Sequence, residues 1–144
     1  MIEQDTVKLL RECDAGVEMG TKAIEDVLDR VQNGELRQSL TECRQKHKAL
    51  KGEIRDMLGR YQDEGKEPPA MARGMAKMKT DLKIGLDPSD ETIADLMTDG
   101  CNMGVKSLSR YLNQYQAADE ASKNLAKRLI HLEEQLAVDI RRFL

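Results

Sequence analysis

Met19-Gly20-Thr21-Lys22-Ala23-Ile24 returns 84 residues later as Met103-Gly104-Val105-Lys106-Ser107-Leu108, and this repetition decides the fold. A second glycine precedes each copy, Gly16 and Gly100, so two corresponding helices carry the same small-residue notch at the same height. The missing side chain lets a neighbouring helix approach closely, at a cost of roughly 1 kcal/mol of helix propensity per glycine. Two related helical hairpins in one all-α four-helix bundle are therefore expected.

Working outward, Leu10, Cys13, Val17, Gly20, Ile24, Val27 and Val31 recur at steps of three and four, which predicts a first long helix from about Asp5 to Val31. Asn33-Gly34 gives a compact reversal. Leu36, Leu40, Cys43, His47, Leu50, Ile54, Met57 and Tyr61 carry a second helix to about Gln62, antiparallel to the first. Gly65-Lys66-Glu67-Pro68-Pro69 stops the pattern, because neither proline can donate a backbone bond and the first restricts Glu67.

Residues 65–88 then read as a crossover containing a short helix from about Pro69 to Leu86. Met71, Met75, Met78 and Leu82 share one side of it and are expected to cover the bundle, leaving Arg73, Lys77, Lys79 and Lys83 in water; a mobile amphipathic lid, a partner-binding helix or a membrane-surface contact is the alternative use of this segment. Asp87-Pro88-Ser89-Asp90 starts a third long helix reaching about Gln116, with Asp87 as the expected cap. Asp119 is the expected cap of a fourth, which runs through Leu125, Leu129, Leu132, Leu136, Ile140 and Phe143. One domain over residues 1–144 accommodates all of this.

Composition narrows the function classes. Lys and Arg number 23 against 26 Asp and Glu, for a net charge of -3 with mixed signs along nearly every segment, so the basic face that nucleic acid would require is missing. No apolar run approaches the roughly 18 residues of a membrane span, and charges occupy the N-terminal region where a signal peptide is apolar. The expectation is a cytoplasmic protein without integral membrane association. Cys13, Cys43 and Cys101 are too widely spaced for a secreted disulfide framework. The extra apolar positions Leu9, Leu28, Leu58, Ala126 and Ile130 are expected first in the core, with a homodimer or a protein partner as their second use.

Counting from the two turns places Gly20 level with His47, and Gly104 near His131 and Leu132. With the second and third long helices parallel, Gly16, Gly20, His47, Gly100, Gly104 and His131 converge on mid-bundle and outline a pocket for a small molecule. Cys43 and His47 share a helical face and Cys101 falls near their level, a softer donor set that suits zinc if further ligands join it. The ordinary reading of the same residues is a filled core with satisfied histidines.

This arrangement of two hairpins, a long crossover and a central convergence resembles the ferritin-like superfamily over essentially the whole chain, and more narrowly its small bacterial families of uncharacterised activity. Diiron members of that superfamily draw a glutamate from the first helix of each hairpin and a Glu-x-x-His motif from the second. Here the motif positions read Arg44-Gln45-Lys46-His47 and Arg128-Leu129-Ile130-His131, with arginine in the glutamate's place. On the first helices Glu18 is matched by Asn102, and Glu12 and Asp14 by Leu96 and Thr98. The resemblance thus implies the bundle without its oxidase centre. No cofactor and no catalytic residue is expected, and the leading functional expectation is a noncatalytic structural or interaction bundle. A metal-binding protein or oxidoreductase with an atypical site, and a small-molecule-binding bundle, are the alternatives.

Overall fold

The computed structural model describes residues 2–144 and is an all-α bundle of five helices. They are α1 (Ile2–Leu28), α2 (Gly34–Gly59), α3 (Ala70–Leu86), α4 (Asp90–Gln114) and α5 (Glu120–Ile140), the last followed by a single 3-10 turn. α1 packs with α2 and α4 with α5, and α3 bridges the two pairs.

Capping chemistry sets the helix starts. Asn33 is extended and accepts from the amides of Glu35 and Leu36, at 2.8 and 3.1 Å, so the residue read as a turn also opens α2. Asp119 caps α5 through the Ser122 amide as expected. At α4 the cap is Ser89, which accepts from the Thr92 amide, in place of Asp87. The shift frees Asp90, whose two carboxylate oxygens accept from the Gln32 and Asn33 amides at 2.9 Å each and tie the start of α4 to the α1–α2 turn.

A matching clasp works in the other direction. Asp5 accepts from the Ala117 amide at 3.0 Å and Thr6 from the Asp119 amide at 2.8 Å, so the start of α1 holds the α4–α5 turn. Thr6 and Asp90, and Asn33 and Ala117, are pairs separated by the same 84 residues as the glycine notches. The two hairpins therefore clasp each other reciprocally, helix start to opposite turn, through neighbouring but not identical positions of the repeat.

The core has two apolar halves. One joins Leu9, Leu10, Cys13 and Val17 of α1 to Leu50, Ile54 and Leu58 of α2, Leu108 of α4, and Leu125 and Leu129 of α5. The other joins Ile24 and Val27 to Leu36, Leu40 and Cys43, Ile93, Met97 and Cys101, and Leu136 and Ile140. The early part of α2 and the early part of α4 thus lie in the same half, so those helices run in parallel. Leu9, Leu58 and Ala126 are buried, and Leu28 and Ile130 pack against the core.

The crossover returns the chain from one end to the other. Its start is anchored on Asp14, a carboxylate buried in α1 that accepts from Arg55 Nε at 3.1 Å and from the Lys66 amide at 2.9 Å. Gly65 permits this approach: its φ is +90°, and a Cβ there would stand 2.4 Å from Asp14 Oδ2. α3 then spans roughly 25 Å at about 1.5 Å per residue, and Ile84 is its one buried residue.

The orientation of α3 reverses the sequence expectation. Met71, Met75, Met78, Leu82 and Leu86 are all 64–79% exposed, while Arg73, Thr80 and Lys83 are half-buried on the other sides. The surface beneath explains the reversal. α1 offers Met19, Lys22, Ala23 and Asp26 there, a mixed polar strip, and Arg30 pairs with Asp81 at 2.6 Å. The small and polar side of α3 suits that strip better than the methionines do.

Candidate functional site

Every long helix has a polar or side-chain-free position in the gap between the two apolar halves. On α1 it is Gly20 with Thr21, on α2 His47, on α4 Gly104 and on α5 Glu133. These residues make a polar layer at mid-bundle.

His47 is its centre and is 1% exposed. Nε2–H donates to Glu133 Oε1 at 2.7 Å, and Nδ1–H donates to the Cys43 carbonyl at 2.8 Å, with Cys43 Sγ also 3.4 Å away. Both ring nitrogens are thus satisfied as donors, the pattern of an imidazolium. Burial opposes that charge, but hydrogen bonds to Cys43 and Glu133, together with the charge on Glu133, outweigh it and raise His47 to about 10. The pair is an imidazolium–carboxylate bridge that joins the two hairpins.

The glycine notches have unequal roles. A Cβ on Gly20 would stand 2.6 Å from His47 Nε2, 2.9 Å from His47 Cδ2 and 3.3 Å from Glu133 Oε1. Gly20 is therefore the recess into which the ring fits. A Cβ on Gly104 would meet Glu133 at 3.5–3.6 Å, an ordinary contact. Gly16 faces Leu108 at 4.0 Å, and Gly100 is exposed with nothing within that distance.

Among the residues singled out from the sequence, Gly20, His47, Gly104, Cys43 and Cys101 meet at or beside this layer. Gly16 lies to one side, and Gly100 and His131 lie on exposed faces. His131 has no place in the mid-bundle convergence expected for it, because Glu133, two residues on, turns inward instead. Glu133 had a legible signal. It stands four residues after Leu129 and three before Leu136, inside the apolar seam of α5.

The remaining donors are guarded or engaged. Burial first, and then the charge of Glu133, push the Cys101 thiol well above its usual range. Cys13 is pushed up to about 12, first by burial and then by Glu12 and Asp14. Neither thiol is set up as a nucleophile. Arg128 forks onto Glu53 at 2.8 and 2.9 Å on the surface, away from any carboxylate cage. Among the described residues, no three or more His, Cys, Asp or Glu side chains gather in a way that would hold a metal ion. The donor set does not fit a diiron centre: the two Glu-x-x-His glutamates are arginines, one histidine is exposed and the other spends both nitrogens on the protein.

Two surface hollows lie apart from this layer. One runs along the exposed start of α1, and the other, of about 330 Å³, lies between α1 and α3 beside Met19, Lys22, Arg73 and Lys77. Among the described residues no helix is long and apolar enough to cross a membrane. No protein-family model, curated protein or solved structure matches the chain.

Proposed function

We propose that this chain is a noncatalytic interaction protein of the cytoplasm, ferritin-like in architecture, that works by docking a partner and not by making or breaking bonds. The observation that carries this reading is the outward stripe of α3. Five large apolar side chains along one helix are exposed to water as a contiguous stripe, a feature of many interaction surfaces.

The central layer supports the same reading from the opposite side. Its histidine and its carboxylate are consumed by each other, and the recess at Gly20 is filled by protein. Their role in this account is to fix the register of the two hairpins, as buried polar pairs do in other helical assemblies.

The competing reading is an atypical metal site that uses Cys43, His47 and Cys101, with Glu133 beside them. Elemental analysis of protein purified without added metal, together with anomalous scattering from crystals, separates the two. The interaction reading expects substoichiometric metal and no localised anomalous peak at mid-bundle. Stoichiometric metal that supports turnover, with occupancy and rate both lost in Cys43→Ser and Cys101→Ser, would overturn it.

A further inference from the structure

The exposed stripe of α3 has a symmetry of its own. Met71 and Leu86 lie equally far from the point midway between residues 78 and 79, Met75 and Leu82 do the same at a shorter distance, and Met78 sits at the centre. A two-fold contact demands this property, because residue i of one copy must meet residue j of the other and j must meet i. We infer that the partner of this face is a second copy of the chain, with the two α3 helices packed antiparallel. Met78 then meets Met78, Met75 meets Leu82 and Met71 meets Leu86. This inference rests on the interaction reading above and names its partner.

The area agrees. Burying a Met or Leu completely removes roughly 100 Å² of apolar surface from water. Five such residues, exposed by 64–79%, present on the order of 350 Å² on each copy. At the usual 56–65% apolar share of an interface, the pair would bury about 1,100–1,250 Å² in total, the lower edge of a specific contact. A dimer of micromolar strength is the expectation.

Charge argues against the other occupants. α3 carries Arg73, Lys77, Lys79 and Lys83 against Asp81, a net of +3 in a chain of net -3, so the remaining residues carry -6. Little of that positive charge is free to hold an anionic bilayer, and the chain has no Trp to seat in a membrane interface. In the dimer Arg73 and Lys83 stay half-buried against their own bundle, and Lys77 is engaged with Asp81 at 3.4 Å. Lys79 alone adjoins the seam near the two-fold axis, so the two Lys79 ammonium groups oppose association at low salt.

Sedimentation of the full chain across the micromolar range tests this. The wild type should pass from the 16.3 kDa chain mass to twice that value. Met75→Glu and Leu82→Lys should each raise the dissociation constant at least ~10-fold, and the double variant should recover part of the loss, since position 75 faces position 82 only in the antiparallel register. Met78→Cys should form an intermolecular disulfide under mild oxidation while Met71→Cys does not, and the native cysteines are buried and stay out of the reaction. All four positions are exposed, so circular dichroism should confirm intact folding in every variant.

A monomeric wild type would overturn the inference. So would a dimer indifferent to Met75→Glu and Leu82→Lys, or a monomer that co-sediments with vesicles of phosphatidylcholine and phosphatidylserine. Each of these leaves the noncatalytic reading to be decided by its own metal analysis.

Discussion

Replacing Gly20 with alanine separates a packing recess from a generic helix glycine, because the two predict opposite signs. In an exposed helix interior, Gly→Ala stabilises by up to about 1 kcal/mol. At Gly20 the new Cβ would stand 2.6 Å from His47 Nε2, against the ~3.5–4.0 Å of comfortable contact. The ring must retreat by about 1 Å. It is held from behind by the Cys43 carbonyl, so retreat strains or breaks the 2.7 Å bond to Glu133. Losing a charged hydrogen bond costs about 1.5–3 kcal/mol and overpacking about 1–3. After the gain in propensity, the net loss should be roughly 2–4 kcal/mol, a fall in Tm on the order of 5–15 °C for a chain of this size.

Urea denaturation followed by circular dichroism reads this directly, with two internal standards. Gly52→Ala, in open space on α2, should stabilise, and Gly104→Ala should be neutral or stabilising because its Cβ meets Glu133 at ordinary contact distance. In a His47→Ala background the penalty at Gly20 should vanish, since the ring that the methyl group strikes is gone. A Gly20→Ala protein as stable as the wild type, or a penalty unchanged by His47→Ala, would refute the assignment of Gly20 as the histidine's recess.

Three further outcomes follow from named groups. His47 is raised to about 10 from its ordinary 6.5, so the stability it adds is full below about pH 6.5 and is lost as the pH rises through 10. The unfolding free energy from urea titration should therefore decline from neutral to alkaline pH, by up to about 1.4 kcal/mol per pH unit, and His47→Gln should flatten this decline; equal slopes in the two proteins would rule out the imidazolium. Asp14→Asn should cost roughly 1–3 kcal/mol, less than a fully buried pair because Arg55 stays partly in water, and should speed hydrogen exchange at the Lys66 amide; an unchanged exchange rate there would show that Asp14 does not anchor the crossover. Gly65→Ala should lose at least about 1 kcal/mol, as measured by the same urea titration, because its φ is positive and the methyl group meets Asp14.

How much of this was legible depends on what each residue's neighbours decide. Helix periodicity is local, so the four long helices, the proline-bounded crossover and the Asn33 and Asp119 signals could be read directly, with ends displaced by a few residues. The Gly20–His47 meeting was also legible, because a short turn fixes the register of α1 against α2 by counting. The repeat misplaces the partner from the other hairpin, since α5 is rotated relative to α2 and an offset of 84 residues from His47 lands on the exposed His131. The signal for Glu133 lay in the α5 seam itself, four residues after Leu129 and three before Leu136. Asp14 is a similar case: it lies within the buried stripe of α1, but its partners come from Arg55 and Lys66, and no one-dimensional spacing announces them.

The inverted α3 shows where amphipathic reasoning stops. A stripe of methionines and leucines states that a face wants cover, and it does not say whose surface supplies the cover. Here the four long helices close most of both apolar halves among themselves, α3 adding only Ile84, and α1 presents Lys22 and Asp26 to the passing helix. The side of α3 that turns inward carries Arg73, Thr80, Lys83 and Ile84, and Asp81 reaches Arg30 just beyond α1. Polar complementarity with α1 therefore fixes the rotation of α3, and the apolar stripe is turned outward as a consequence. Arg30→Ala, by cutting the tie from the α1–α2 turn to Asp81, should loosen that rotation and weaken any contact the stripe makes, read as a higher dissociation constant in sedimentation, even though Arg30 lies outside the stripe.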